Sequence, residues 1–76
     1  MTEFVQFIVR NLVDHPGDIH LAAIDGEKSL VLELRCHPND IGKVIGKNGK
    51  TIGAIRTLLS TAAARQGRRA MIEVVE

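Results

Sequence analysis

The segment "IGKVIGKNGKTI", residues 41–52, decides how the rest of this sequence is interpreted. It places three glycines and three lysines around one asparagine, with an isoleucine at either end. Gly46 and Gly49 bound two polar residues, so the backbone can turn tightly there and another backbone can approach without meeting a Cβ. The segment therefore predicts a tight corner between two helices.

The charge of this corner indicates what it contacts. Free backbone amides and the positive dipole end at the start of the second helix favour an anion. Lys47 and Lys50 add positive charge to a helix end that already prefers negative charge, which indicates a phosphate partner. The alternative is that the glycines only make the turn and the lysines stay solvated.

Two nucleotide-binding motifs fail at the same residue. The P-loop pattern Gly-x-x-x-x-Gly-Lys-Thr ends correctly at Gly49, Lys50 and Thr51 but needs a glycine at position 44. The dinucleotide pattern Gly-x-Gly-x-x-Gly would use Gly46 and Gly49 and needs a glycine at that position too. Val44 and the shortness of the chain therefore argue against both motifs.

The length and composition predict one small folded domain. A chain of 76 residues has room for one modest core, so we expect a single domain over residues 1–76. Its apolar fraction of 45% includes only two aromatic residues, which predicts an aliphatic core. The N-terminus lacks a signal-peptide pattern, no apolar run is long enough to span a membrane, and Cys36 is a single cysteine. These features predict a cytoplasmic protein without membrane contact.

The net charge of +1 hides an uneven distribution. Residues 1–40 hold seven acidic and three basic side chains, whereas residues 41–72 hold seven basic side chains and no acidic one. A segment this one-sided suits a polyanion, because Lys and Arg hold phosphates whatever the base sequence. A solvated basic helix face is the alternative.

Apolar spacing predicts a helix followed by a hairpin. The helix has Thr2 as its N-cap, ends at "DHPGD", and has an apolar face that consists of Phe4, Val5, Ile8, Val9, Leu12 and Val13. The runs "IHLAAI" and "SLVLELRC" predict two strands joined at Asp25-Gly26. In the second strand the alternating leucines face the core, and Cys36 is predicted as a core thiol.

Two helices and a third strand complete the predicted fold. A short helix from Pro38 to Ile45 should end at Gly46 in the left-handed conformation. A longer helix follows, with Gly67 as its C-cap and an apolar face of Ile52, Ile55, Leu58, Leu59, Ala62 and Ala63. The strand "RAMIEVVE" can run parallel to the second strand. The predicted fold class is α+β with the order α-β-β-α-α-β, in which helices pack on one face of a three-stranded mixed sheet.

The nonapeptide "VIGKNGKTI", residues 44–52, resembles the Val-Ile-Gly-x-x-Gly-x-x-Ile signature of KH domains. The element order resembles the type II arrangement, and the whole chain is similar to the small single-domain bacterial KH proteins of the KhpA family. This likeness rests on the opening amphipathic helix, "LVDHPGD", "DGEKS", "HPNDIGKVIGKNGKTIGAIRTLLSTAAARQG" and the closing strand. It implies a single-stranded RNA binder whose corner clamps the backbone of about four nucleotides.

The resemblance implies roles for the residues of the corner. Gly46 and Gly49 would shape the clamp, while Lys47 and Asn48 would face phosphate. Gly42 is counted with these RNA-binding residues. The apolar floor and its supports would consist of Ile41, Val44, Ile45 and Ile52.

Charge adds two residues to this site. Lys43 and Lys50 are predicted as flanking electrostatic contacts. No aromatic residue lies near the corner in the sequence to stack bases, so one domain should bind weakly and with little sequence preference.

The resemblance also implies protein partners. Weak binding makes a second copy useful, because two linked sites raise avidity without new contacts. The family is associated with homodimers and with a larger KH-containing partner, usually called KhpB. Small residues on the long helix would let a second helix approach, namely Gly53, Ala54, Thr57 and Thr61. Small residues are also common on faces that stay exposed, which is the alternative.

The expected function is that of an RNA chaperone or post-transcriptional regulator. The alternative is a KH-fold adaptor that acts through homo- or heterodimerisation, with RNA binding incidental. An enzyme is not expected, because His15, His20 and His37 are scattered in the sequence and no pair has metal-ligand spacing. No cofactor or metal is expected either.

Overall fold

A computed structural model describes residues 2–75 and contains three helices and three strands in that range. The elements are α1 (Thr2–Leu12), β1 (His20–Asp25), β2 (Ser29–Arg35), α2 (Ile41–Ile45), α3 (Lys50–Ala64) and β3 (Arg69–Val74). Short 3-10 turns lie at Pro16–Asp18, Pro38–Asp40 and Lys47–Gly49. The predicted order α-β-β-α-α-β is confirmed. Glu76, the last residue of the predicted third strand, lies outside the described residues.

The three strands form one mixed sheet in the order β1-β2-β3. β1 pairs with β2 in the antiparallel direction, and β2 pairs with β3 in the parallel direction. The parallel pairing requires a long crossover, which α2 and α3 supply. In this register Leu32 lies opposite Ala23 on one side and Ile72 on the other. The sheet confirms the α+β fold expected of a type II KH domain.

The hairpin between β1 and β2 turns at the predicted position. The Gly26 amide donates to the Ser29 carbonyl at 2.8 Å. Gly26 does not take a positive φ, although such an angle is the usual reason for glycine in a hairpin. An added Cβ at Gly26 would lie 2.9 Å from Ser29 Oγ, and the nearest backbone atom would be 3.5 Å away. Because a rotation of the Ser29 side chain would relieve this contact, neither space nor the backbone angle requires a glycine here.

The core lies on one face of the sheet, against the helices. Alternation along the strands buries Leu30, Leu32 and Leu34 of β2, as predicted. The buried cluster also includes Val5 and Val9 of α1, Val44 of α2, Ile52, Ile55, Leu59 and Ala63 of α3, and Ala70 and Ile72 of β3. Burial of this aliphatic surface is the main favourable term in folding.

Cys36 is less buried than the sequence predicts. β2 ends at Arg35, so Cys36 follows the strand and packs against the edge of the core. The prediction of a core thiol is corrected to a partly buried one. Burial, and to a smaller extent the charge of Asp40, raises the pKa of the Cys36 thiol above its usual value.

The helices expose part of their predicted apolar faces. In α1, Val5 and Val9 are buried, while Phe4 and Leu12 are exposed. In α3 only one stripe meets the sheet, so Leu58 is 52% exposed and Ala62 is also exposed. A helix that crosses a three-stranded sheet can bury only a narrow stripe, and the predicted face was too wide.

The end of α3 confirms the role of Gly67. Gly67 has φ 70°, its amide donates to the Ala64 carbonyl, and the Arg68 amide donates to the Ala63 carbonyl at 2.9 Å. These bonds form a Schellman motif, in which the glycine follows the last helical turn. Although α3 has 15 residues, no helix in the described range is long and apolar enough to cross a membrane.

Candidate nucleic-acid interface

The first glycine of the corner stops α2. The Gly46 amide donates to the Gly42 carbonyl at 2.9 Å and closes the last turn of the helix. The Gly46 angles are φ 78° and ψ 172°, so the predicted left-handed helical conformation is wrong. This region of backbone space is essentially open only to glycine. Backbone geometry therefore requires a glycine at position 46, as the sequence predicted. The conformation that requires it is not the left-handed helical one.

Asn48 and Gly49 complete the turn in the left-handed region. Asn48 has φ 58° and ψ 27°, and Gly49 has φ 74° and ψ 14°. The Gly49 amide donates to the Gly46 carbonyl at 3.1 Å. Asn tolerates the left-handed region better than most residues with a side chain, so it has a conformational reason to be here. Sequence reasoning missed this second role of Asn48, although an Asn before a Gly is a signal for it.

The start of α3 offers amides without a side-chain cap. Gly49 precedes the helix, and no side chain in the described range caps its first turn. That turn also contains no acidic residue. The Lys50 amide already donates to the Lys47 carbonyl, so an anion at this helix start would be received by the amides that follow Lys50. The structure therefore provides the helix terminus that the sequence predicted.

The polar side chains of the corner point outward. Lys47, Asn48 and Lys50 are exposed. Within residues 2–75, neither Lys47 nor Lys50 forms an ion pair. Both ammonium groups can therefore meet a phosphate without first breaking an internal bond.

The apolar residues of the predicted site fall into two groups. Val44 is fully buried and Ile52 nearly so, and both belong to the core. Ile41 and Ile45 are only partly buried. Val44 and Ile52 can therefore support a ligand-binding surface, whereas Ile41 and Ile45 can contribute to the surface itself.

Lys43 differs from the other two lysines. Its ammonium contacts the Asp14 carboxylate and lies 4.0 Å from the Asp40 carboxylate. The hydrogen bond to Asp14 raises the pKa of the Lys43 ammonium above its usual value. The sequence predicted Lys43 as a flanking contact and gave no signal for this pairing, because Asp14 is 29 residues away.

A buried carboxylate fixes the residues around Lys43. Asp40 is fully buried and accepts hydrogen bonds from the Asp14 amide at 3.2 Å and the His15 amide at 2.9 Å. His15 Nδ1 lies 3.0 Å from Asp40 Oδ2, the oxygen that also accepts from the His15 amide. Burial alone would raise the pKa of the Asp40 carboxyl, but these hydrogen bonds hold it below its usual value. No local sequence signal indicates this network, because Asp40 lies 26 and 25 residues from Asp14 and His15.

Two of the three histidines lie together in space. The His15 and His37 rings stack with centroids 3.9 Å apart, which corrects the view taken from sequence. His37 Nδ1 accepts a hydrogen bond from the Asn39 amide at 3.1 Å. In the described range, no group of three His, Cys, Asp or Glu residues is placed to hold a metal ion.

The basic segment, residues 41–72, also contains arginines that make internal contacts, as Lys43 does. Arg68 pairs with Asp25 and donates to the carbonyls of Gly26 and Ser29, so it ties the β1–β2 hairpin to the end of α3. Arg56 lies 3.4 Å from the Ile72 carbonyl. These arginines have structural contacts. The excess of positive charge is therefore not all available to a ligand.

Comparison with known proteins gives one consistent result. The model of the family described as "KhpA/KhpB, KH domain" matches residues 2–74. The RNA-binding protein KhpA of Chlamydia muridarum is 46% identical over 76 residues, which cover 100% of this chain and 97% of that protein. The protein of the same name from Clostridium perfringens is 43% identical, over 99% of this chain and 100% of its own length. That of Borreliella burgdorferi is 46% identical, over 97% and 90%. No solved structure matched the chain.

Proposed function

The chain belongs to the KhpA/KhpB family of KH domains, and from this premise we propose that it binds single-stranded RNA. The Gly46–Gly49 corner holds the RNA backbone. One observation carries this assignment: an uncapped helix start lies beside two exposed lysines that have no ion pair within residues 2–75. We further propose that residues 1–76 act as a single KH domain.

The residues of the corner have distinct roles in this proposal. Gly46 and Gly49 bring the backbone amides close to phosphate, because neither carries a Cβ. Lys47 and Lys50 supply charge, and Asn48 supplies a neutral donor beside them. The Gly42 carbonyl accepts the Gly46 amide and so closes the last turn of α2 before the corner. Ile41 and Ile45 form the apolar floor, supported from below by Val44 and Ile52.

The binding should be weak and largely independent of sequence. Both phenylalanines lie on α1, and the corner between α2 and α3 contains no aromatic residue. Aromatic stacking, which contributes about 1–3 kcal/mol per base in other single-strand binders, is therefore missing there. Such a protein suits the work of a cytoplasmic RNA chaperone or post-transcriptional regulator.

A second copy would raise the avidity of this weak site. We propose that a homodimer forms through the exposed face of α3, which contains Gly53, Ala54, Thr57 and Thr61. The Thr57 hydroxyl donates to the Gly53 carbonyl at 3.0 Å, and the Thr61 hydroxyl donates to the Thr57 carbonyl at 2.8 Å. Because both hydroxyls are already satisfied, covering this face costs little in lost hydrogen bonds to water. A larger KH-containing protein of the KhpB type could use the same face.

This exposed helix face also favours a second candidate function. A protein-interaction adaptor would use α3, including the exposed Leu58, and would not need RNA. The adaptor does not explain why two unpaired lysines lie at an uncapped helix start. We therefore place RNA binding first.

Salt dependence tests the proposed function. Labelled single-stranded RNA of about eight nucleotides is titrated with the protein at several salt concentrations, and fluorescence anisotropy gives the Kd. Each phosphate contact should contribute about −0.7 to the slope of log affinity against log salt. A slope of about −1.4 is expected from Lys47 and Lys50. An absence of binding even at low salt would contradict the proposal.

A further inference from the structure

The segment between α1 and β1 is fixed to the start of α2 by one buried side chain. Asp40 immediately precedes α2 and is fully buried. Its carboxylate accepts hydrogen bonds from the backbone amides of Asp14 and His15, at 3.2 and 2.9 Å. Buried carboxylates keep such partners, because an unpaired buried charge is very costly. The backbone position of Asp14 is therefore set by α2.

The same arrangement directs the Asp14 side chain to a lysine of the predicted site. With its amide held by Asp40, Asp14 presents its carboxylate to the Lys43 ammonium, which also lies 4.0 Å from Asp40. Lys43 is three residues before Gly46 on a helix that ends at Ile45. One positive charge beside the corner is thus matched by two carboxylates.

Lys47 and Lys50 differ from Lys43 because they have no carboxylate partner in residues 2–75. Both are exposed, and neither lies within 4.0 Å of a carboxylate in residues 2–75. The Lys43–Asp14 pair is itself accessible, with side chains that are 44% and 68% exposed. An exposed pair of this kind contributes little to stability and can be exchanged for another partner. A phosphate can accept from the same ammonium, but it must first displace the Asp14 carboxylate, whose backbone amide is already held by Asp40.

We propose that Asp14 competes with RNA phosphate for Lys43 and so limits the affinity of the corner. This inference rests on the proposed RNA-binding function. In the free protein Lys43 is paired with Asp14, and RNA contacts the corner through Lys47 and Lys50. Lys43 becomes a third contact only when the Asp14 charge is removed.

A double-mutant cycle tests this competition. The Kd for a labelled single-stranded RNA octamer and its salt dependence are measured for the native chain, Asp14→Asn, Lys43→Gln and the double variant. Asp14→Asn retains the backbone amide that Asp40 binds. The matched control is Asp18→Asn, which removes the same charge from the same connection. Asp18 is exposed, and its side chain makes no hydrogen bond or ion pair with residues 2–75.

The expected result is a gain that depends on Lys43. Asp14→Asn should tighten binding by about two- to five-fold, which is the scale of an exposed ion pair. It should also steepen the salt slope by about 0.7. Lys43→Gln alone should change affinity by less than about two-fold, and in the double variant it should remove the gain.

Three results would overturn the inference. Equal weakening by Lys43→Gln in the native chain and in Asp14→Asn would show that Lys43 contacts phosphate regardless of Asp14. An equal gain in affinity in Asp18→Asn and Asp14→Asn would reduce the effect to net charge. An unchanged affinity in Asp14→Asn would contradict the proposed competition, but it would not contradict the proposed RNA binding. If no protein in the cycle binds RNA, the proposed function fails along with the competition.

Discussion

Gly46 and Thr51 lie so close together that position 46 has no room for a side chain. An added Cβ on Gly46 would lie 2.6 Å from the Thr51 Cβ and 2.9 Å from its backbone nitrogen. Thr51 belongs to the first turn of α3, and Gly46 ends α2. The corner is therefore fixed by direct packing between the two helices it joins.

Replacing Gly46 by Ala should destabilise the fold strongly. The variant combines a backbone conformation that is essentially restricted to glycine with a collision against Thr51, so we expect a loss of about 2–4 kcal/mol. Urea unfolding followed by circular dichroism measures it. The control is Gly53→Ala in α3, where an added Cβ meets nothing within 4 Å. That variant should gain about 0.5–1 kcal/mol, because Ala favours a helix over Gly. Equal losses in the two variants would contradict the packing of the corner.

Asn48 should tolerate some substitutions and not others. Because Asn48 lies in the left-handed region, Asn48→Val should cost about 1–2 kcal/mol, whereas Asn48→Gly should leave stability nearly unchanged. Urea midpoints of the two variants and the native protein measure the difference. If Val and Gly were tolerated equally, the left-handed conformation of Asn48 would be in doubt.

Asp40 should make stability depend on pH in acid. Its pKa is lower in the folded protein than in the unfolded chain, so its contribution is present above the unfolded value of about 3.9. The contribution is lost as the pH falls through the lower folded value. Asp40→Asn should therefore be less stable at pH 7 and should show a flatter decline in stability below about pH 4. Urea unfolding between pH 7 and pH 2.5 measures both effects. Parallel curves for the two proteins would contradict the low pKa of Asp40.

The exposed face of α3 should control self-association. Ala54→Arg places a long charged side chain on that face without disturbing the core, since Ala54 is exposed. It should convert a dimer to a monomer in light scattering at high protein concentration. Ala22→Arg, at an exposed alanine of β1, is the matched control and should stay dimeric. A native protein that is monomeric throughout would remove the homodimer from the proposal.

Local signals in the sequence predicted much of this fold. Alternating leucines identified β2, Asp25-Gly26 located the hairpin, and Gly67 marked the end of α3. Each of these signals depends on only a few neighbouring residues, so it can be identified in the sequence without knowledge of the tertiary structure. The corner was predicted for the same reason, although the conformation of Gly46 was not.

Contacts between distant residues could not be predicted in this way. Asp40 binds the amides of Asp14 and His15, and Lys43 meets Asp14, across 25 to 29 residues of sequence. No periodicity indicates such pairs, because they depend on how α1 and α2 are brought together in the fold. The exposure of Leu58 is a similar case, since it depends on the width of the sheet.

RNA binding by Lys47→Asp/Asn48→Asp is the measurement that tests the role of the Gly46–Gly49 corner most directly. Asp tolerates the left-handed region, so circular dichroism should show that the variant is folded. Arg65→Asp/Gln66→Asp, at the other end of α3, changes the net charge equally and is the control. Anisotropy titration with a single-stranded RNA octamer should show binding by the native protein and the control, and at least ten-fold weaker binding by the corner variant. Equal affinities in the native protein and the corner variant would contradict the proposed site.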